Sequence, residues 1–142
     1  MTFMVTFRVE GPPQGKGRPR FSNRGGFVKT YTPKQTADYE TTIKAAAMVA
    51  MGASRPLETP VAVFLKVTKG IPASYPKKRI EACLNGSERP TKKADLDNIL
   101  KCYLDAMNEV VYLDDKQVVS IHATQFYGTF PVVEVLVREE LP

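Results

Sequence analysis

Two cysteines, one histidine and no long apolar run set the first limits on this chain. Cys83 and Cys102 lie far apart on segments that read as helical, and His122 falls in a strand-like run. Those few ligands make neither a zinc knuckle nor a redox pair, so the thiols are expected to be reduced and half-buried. No stretch of about 18 apolar residues is present, which excludes a membrane-spanning helix. The opening MTFMVTFRVE alternates like a strand and lacks the pattern of a signal peptide. A soluble cytoplasmic protein is the expectation. The 142 residues are 43 % apolar, enough for the core of one domain spanning 1–142, and 11 prolines and 9 glycines imply well-defined turns.

Charge is unevenly distributed. Residues 1–93 carry 17 Lys and Arg against 6 Asp and Glu, whereas residues 94–142 carry 3 against 9. A basic surface beside an acidic cluster suits a protein that binds phosphates and holds a divalent cation; two solvated faces of opposite sign would give the same count.

Val5, Phe7 and Val9 alternate with polar residues and predict a first strand, stopped by Gly11-Pro12-Pro13. A basic, glycine-rich segment from Gln14 to Gly26 follows, and Phe27-Val28 begins a short strand towards Tyr31. Thr32 and Pro33 read as N-cap and first residue of a helix reaching Met51, with Ala37, Ile43, Ala46, Ala47 and Ala50 on its apolar stripe. Val61–Val67 is apolar on both sides and is therefore expected to be a central strand. A short helix over Pro76–Leu84, a second over Asp97–Asn108, and strands over Val118–Gln125 and Pro131–Val137 complete the reading, with Gly128 in a hairpin-like turn between the last two. The fold class is α/β (α+β): a single compact domain, a mixed β-sheet with helices packed on it.

The chemistry concentrates in Lys92-Lys93-Ala94-Asp95-Leu96-Asp97-Asn98-Ile99-Leu100-Lys101. Asp95 and Asp97 flank a single residue at a helix mouth, and in extended backbone such a pair points to one side, where both carboxylates can meet one hard cation. Lys101 lies four residues after Asp97, one helical turn along the same face. A second acidic element, Asp114-Asp115, precedes the Val118 strand. The intervening helix is about 18 Å long, so the chain must double back if Asp115 is to meet Asp95 and Asp97. The plain alternatives are an N-cap at Asp97 and a turn at Asp114-Asp115. An EF-hand is excluded: Ile99 takes the place of its third ligand, Leu100 that of its turn glycine, and Ala106 that of its bidentate acid.

Asp95-Leu96-Asp97-Asn98-Ile99-Leu100-Lys101, then Leu104-Asp105-Ala106-Met107-Asn108 and Asp114-Asp115-Lys116-Gln117-Val118, resemble the RusA-like Holliday junction resolvases. Arg18-Pro19-Arg20-Phe21 and Tyr31-Thr32-Pro33 are similar to the phage and prophage branch of that family. The resemblance runs from Gly11 to Val119. It implies a RusA-like fold that pairs as a homodimer and nicks four-way junctions symmetrically with Mg²⁺, for which Mn²⁺ substitutes. It also implies that Asp95, Asp97 and Asp115 bind metal, with Asp114 a further candidate, and that Lys101 is catalytic. Ala94 stands where many relatives have proline, and Glu109 where glycine commonly ends the helix.

Hydrolysis of a phosphodiester needs an activated water and neutralised phosphate charge, which carboxylate-held Mg²⁺ supplies. Lys16, Arg18, Arg20, Arg24 and Lys29, with Lys92 and Lys93, are the residues expected to grip the DNA backbone, while Phe21 and Phe27 would stack on an unpaired base or simply pack. The rival readings are a nuclease for forks or flaps, a module that clamps branched DNA without cutting it, and a small-molecule phosphatase. The long basic arm disfavours the phosphatase.

Overall fold

In a computed structural model the described residues are 2–17, 20–22, 29–31 and 34–142. Among the described residues, six strands and three helices follow in the order β1 (Met4–Glu10), β2 (Arg20–Ser22), β3 (Lys29–Tyr31), α1 (Lys34–Met51), β4 (Val61–Gly70), α2 (Lys77–Leu84), α3 (Leu96–Ala106), β5 (Val118–Gly128) and β6 (Val132–Glu139). A short 3-10 turn, Asp115–Gln117, leads into β5. Among the described residues, no helix is long and apolar enough to cross a membrane.

The main sheet has the order β1-β6-β4-β5. β4 is central, as its two-sided apolar character requires, and pairs antiparallel with β6 and parallel with β5. This corrects the expected hairpin around Gly128. β5 and β6 are not neighbours, because β4 occupies the slot between them, and the chain crosses over the end of β4 at residues 129–131. Gly128 makes that crossing possible. A Cβ there would lie 2.5 Å from the Thr68 methyl, so the Thr68 side chain would have to shift to admit it. β2 and β3 form a separate two-stranded ribbon with Arg20 opposite Tyr31 and Ser22 opposite Lys29. The basic, glycine-rich segment thus contains a strand, β2, that its composition conceals.

Register places Val5, Phe7 and Val9 of β1 beside Val137, Val135 and Val133 of β6, and those beside Val63, Leu65 and Val67 of β4. This stripe faces α1 and α3 and, apart from the half-buried Phe7, is buried. Full burial of an aliphatic side chain such as Ile99 or Val67 contributes about 1.5–3 kcal/mol. The buried side of α1 is Thr36, Tyr39, Ile43, Ala47 and Met51, while Ala37 and Ala50 face solvent. Of the expected stripe, Ile43 and Ala47 are buried and Ala46 is half-buried, and Tyr39 adds to this face a 2.6 Å hydroxyl contact with Tyr103. Thr32 and Pro33 lie outside the described residues.

Candidate active site

α3 carries the acidic motif at its N-terminus. Asp95, not Asp97, is the N-cap residue: its backbone is extended, and its side chain makes no capping hydrogen bond. Asp97 sits in the first turn, and both residues are exposed, as is Lys101 one turn further on. The Asp95 carboxylate is therefore not consumed by the helix it begins. The positive end of the helix dipole favours negative charge at this place.

The N-terminal strap lies against this turn. Lys16 N–H donates to the Asn98 carbonyl at 3.0 Å. A Cβ on Gly15 would meet Asn98 Cβ at 3.1 Å and Ala94 Cβ at 3.2 Å, so glycine permits the close approach. The Lys16 ammonium, expected on DNA, instead bonds to Glu40 of α1 at 2.9 Å and to Asp105 of α3. Partial burial works against that charge, but the bonds to Asp105 and Glu40 outweigh it and hold the Lys16 pKa above the usual lysine value. With two carboxylates engaged, Lys16 ties the strap to the two helices and adds little positive charge to a DNA surface.

Behind the motif lies a residue that the sequence reading passed over. Lys69 continues the inward-facing series Val63, Leu65, Val67 on β4 and is only 8 % exposed. Its ammonium donates to the carbonyls of Lys92 at 2.9 Å and Ala94 at 2.6 Å, on the segment leading into Asp95. Burial pushes the Lys69 pKa below the usual lysine value, and the Asp95 carboxylate opposes that shift. The sequence signal was present: a lysine two residues beyond the last valine of a buried alternation. Lys92 and Lys93, both exposed, border a cavity of about 330 Å³ together with Lys69 and Tyr127.

Asp115 lies at the other end of α3. After Ala106 the chain reverses through Glu109, whose φ of 64° is left-handed, and returns beside Leu57, whose N–H donates to the Val111 carbonyl at 2.8 Å. Asp115 is then fixed to Asn108, just past the helix, by its own N–H donating to Asn108 Oδ1 at 2.8 Å. An 11-residue helix is about 16 Å long, so the two acidic elements are separated by roughly that length. Among the described residues, no group of three or more His, Cys, Asp or Glu side chains is close enough to hold a metal ion. The chain does double back, but not far enough to gather Asp95, Asp97 and Asp115 in one place. Asp114 is a capping residue: its carboxylate accepts from Lys116 N–H at 2.8 Å, and Gln117 closes the reciprocal bond.

Arg18, Arg24 and Phe27 lie outside the described residues, whereas Arg20 and Phe21 belong to β2 and Lys29 to β3. The thiols are more buried than the sequence reading expected, with Cys83 1 % and Cys102 0 % exposed.

The family described as endodeoxyribonuclease RusA matches residues 10–138, nearly all of the chain. The chain belongs to the RusA family. The uncharacterized protein YqaN of Bacillus subtilis (strain 168) is 38 % identical over 140 residues, covering 95 % of this chain and 96 % of that protein. Membership makes this RusA protein an endodeoxyribonuclease of the Holliday-junction-resolving kind.

Proposed function

We propose that this RusA protein resolves four-way junctions by paired, Mg²⁺-dependent nicking, acting as a homodimer with Asp95 and Asp97 at the centre of each site. The observation that carries the reading is an exposed Asp95–Asp97 pair at a helix N-terminus, uncommitted to capping, in a chain of this nuclease family.

The donor set fits Mg²⁺ in its usual manner. Mg²⁺ prefers hard oxygens, keeps several waters, and is commonly held by one or two carboxylates plus a substrate phosphate rather than by an all-protein cage. Asp95 and Asp97 provide two such carboxylates, and the DNA backbone provides the remaining charge. When bound, the ion supplies phosphate neutralisation and an activated water. Lys101, on the same face as Asp97, donates to an oxygen of the scissile phosphate. Lys92 and Lys93 hold the neighbouring backbone, and Arg18, Arg20, Arg24 and Lys29 are the further basic residues assigned to DNA contact. Asp115 is one helix length away, so its part in the reaction is to serve the Asp95–Asp97 pair of the second chain. Two sites related by a two-fold axis match the two equivalent strands of a four-way junction.

The test is incubation of purified protein with labelled four-way junction, fork and linear duplex, with and without Mg²⁺. The reading expects paired cuts in the junction, strictly dependent on the ion. Preferred cutting of forks, or tight junction binding without any cutting, would replace it.

A further inference from the structure

Lys69, only 8 % exposed and bordering the cavity beside Lys92 and Lys93, stands where the sheet calls for an apolar residue, and the proposed chemistry gives it no role. The inward face of β4 runs Val63, Leu65, Val67, Lys69. A position that served burial alone would be filled at least as well by an aliphatic side chain, since exchanging a buried charged group for a packed apolar one is often neutral or stabilising. The ammonium must nevertheless be satisfied where it lies. Its bonds go to two carbonyls on one short stretch: Lys92 at 2.9 Å and Ala94 at 2.6 Å. The next residue is Asp95, whose own side chain makes no capping bond that would fix its direction.

We propose that Lys69 is a positioning residue: by clamping the Lys92 and Ala94 carbonyls it sets the backbone leading into α3, and so aims the Asp95 carboxylate at the cation shared with Asp97. The proposal rests on the reading of Asp95 and Asp97 as a Mg²⁺-binding pair. Lys69 does not touch the ion or the DNA. It acts from behind, from the rigid central strand, as outer partners of metal ligands generally do. The Gly15 contact with Ala94 and Asn98 closes the same turn from the opposite side, leaving the segment between strap and sheet little room to adjust.

The two roles open to a lysine beside a carboxylate predict opposite signs. A lysine that only competed with the metal by its charge would, when removed, leave the ion bound more tightly. A lysine that aims Asp95 would, when removed, leave it bound more weakly. The experiment is calorimetric titration of the DNA-free protein with Mn²⁺ at fixed pH. Lys69→Met, shown to be folded by its thermal transition, should bind Mn²⁺ about 10–100-fold more weakly than wild type, the range found for outer-sphere partners. Lys69→Arg, which restores charged donors, should recover most of that loss. If Lys69→Met does not fold, Lys69→Gln, which keeps a single donor, takes its place with the same expected direction. Unchanged or tighter Mn²⁺ binding by the folded variant overturns the proposal. Asp95→Asn and Asp97→Asn separate the two layers. If both lose Mn²⁺ while Lys69→Met does not, only the role of Lys69 fails. If both keep wild-type affinity, the ion-binding reading of the pair fails, and the Lys69 proposal falls with it.

Discussion

Asn108 and Asp115 clasp each other across the return from α3: the Asp115 N–H donates to Asn108 Oδ1 at 2.8 Å, and Asn108 Nδ2 approaches Asp115 Oδ2 at 3.4 Å. The clasp holds Asp115 beside the last turn of α3, while Asp95 and Asp97 occupy the first.

That separation yields a subunit-mixing prediction. In a homodimer where Asp115 serves the opposite chain, Asp97→Asn and Asp115→Asn are each inactive, yet a mixed dimer of the two retains one intact site. Co-refolded mixtures should therefore nick four-way junctions on one strand, whereas neither variant alone does so. Continued inactivity of a mixture shown by mass to contain heterodimers would remove Asp115 from the second chain's site.

A second prediction concerns the exposed lysines at the motif. Lys92→Ala with Lys93→Ala should weaken binding to junctions and duplexes alike, and each lost phosphate contact should flatten the log–log salt dependence by about 0.9. An unchanged slope would show that this rim does not meet the backbone. The Lys92 and Ala94 carbonyls, which Lys69 uses, survive both substitutions.

Much of this architecture was legible in the chain. The alternations at Val5–Val9 and Val133–Val137 reported their own strands, and the two-sided apolar run at Val61–Val67 reported its central place. What stayed hidden depended on pairing between distant segments. The neighbour of β5 is set by which strand takes the middle of the sheet, and Gly128 reads like a hairpin glycine until β4 is seen beneath it. Local spacing likewise suggested that Asp95 and Asp97 share a side, but the position of Asp115 depends on where the return from α3 docks, and a contact with Leu57 decides that. Lys16 looked like one more basic residue of a DNA-binding arm because nothing local reveals Glu40 and Asp105 waiting on two helices.

Glu109 offers a stability test of that return. Its left-handed backbone, φ 64°, is a conformation costly for a side chain and free for glycine. Glu109→Gly should stabilise the fold by about 1 kcal/mol, raising Tm by roughly 2–4 °C for a domain of this size. A lower Tm would mean that the glutamate makes a contribution larger than the strain it carries.

The thiols provide a check on the core. Burial, aided by the negative charge of Glu40, pushes the Cys102 thiol up to about 12, so at pH 8 it remains protonated as well as inaccessible. The native protein should show no rapid labelling of Cys102 by a thiol reagent at pH 8, and full labelling after denaturation in guanidinium. Rapid native labelling would show that α3 does not pack against the sheet as described.

Asp97 is the central proposed metal-binding carboxylate of this junction nuclease. Its most direct test is Asp97→Asn, in which asparagine keeps the size of the side chain but loses the charge, measured on a labelled four-way junction in Mg²⁺. The account predicts wild-type thermal stability, retained junction binding and cleavage below detection. Cleavage at the wild-type rate by the folded variant would contradict it.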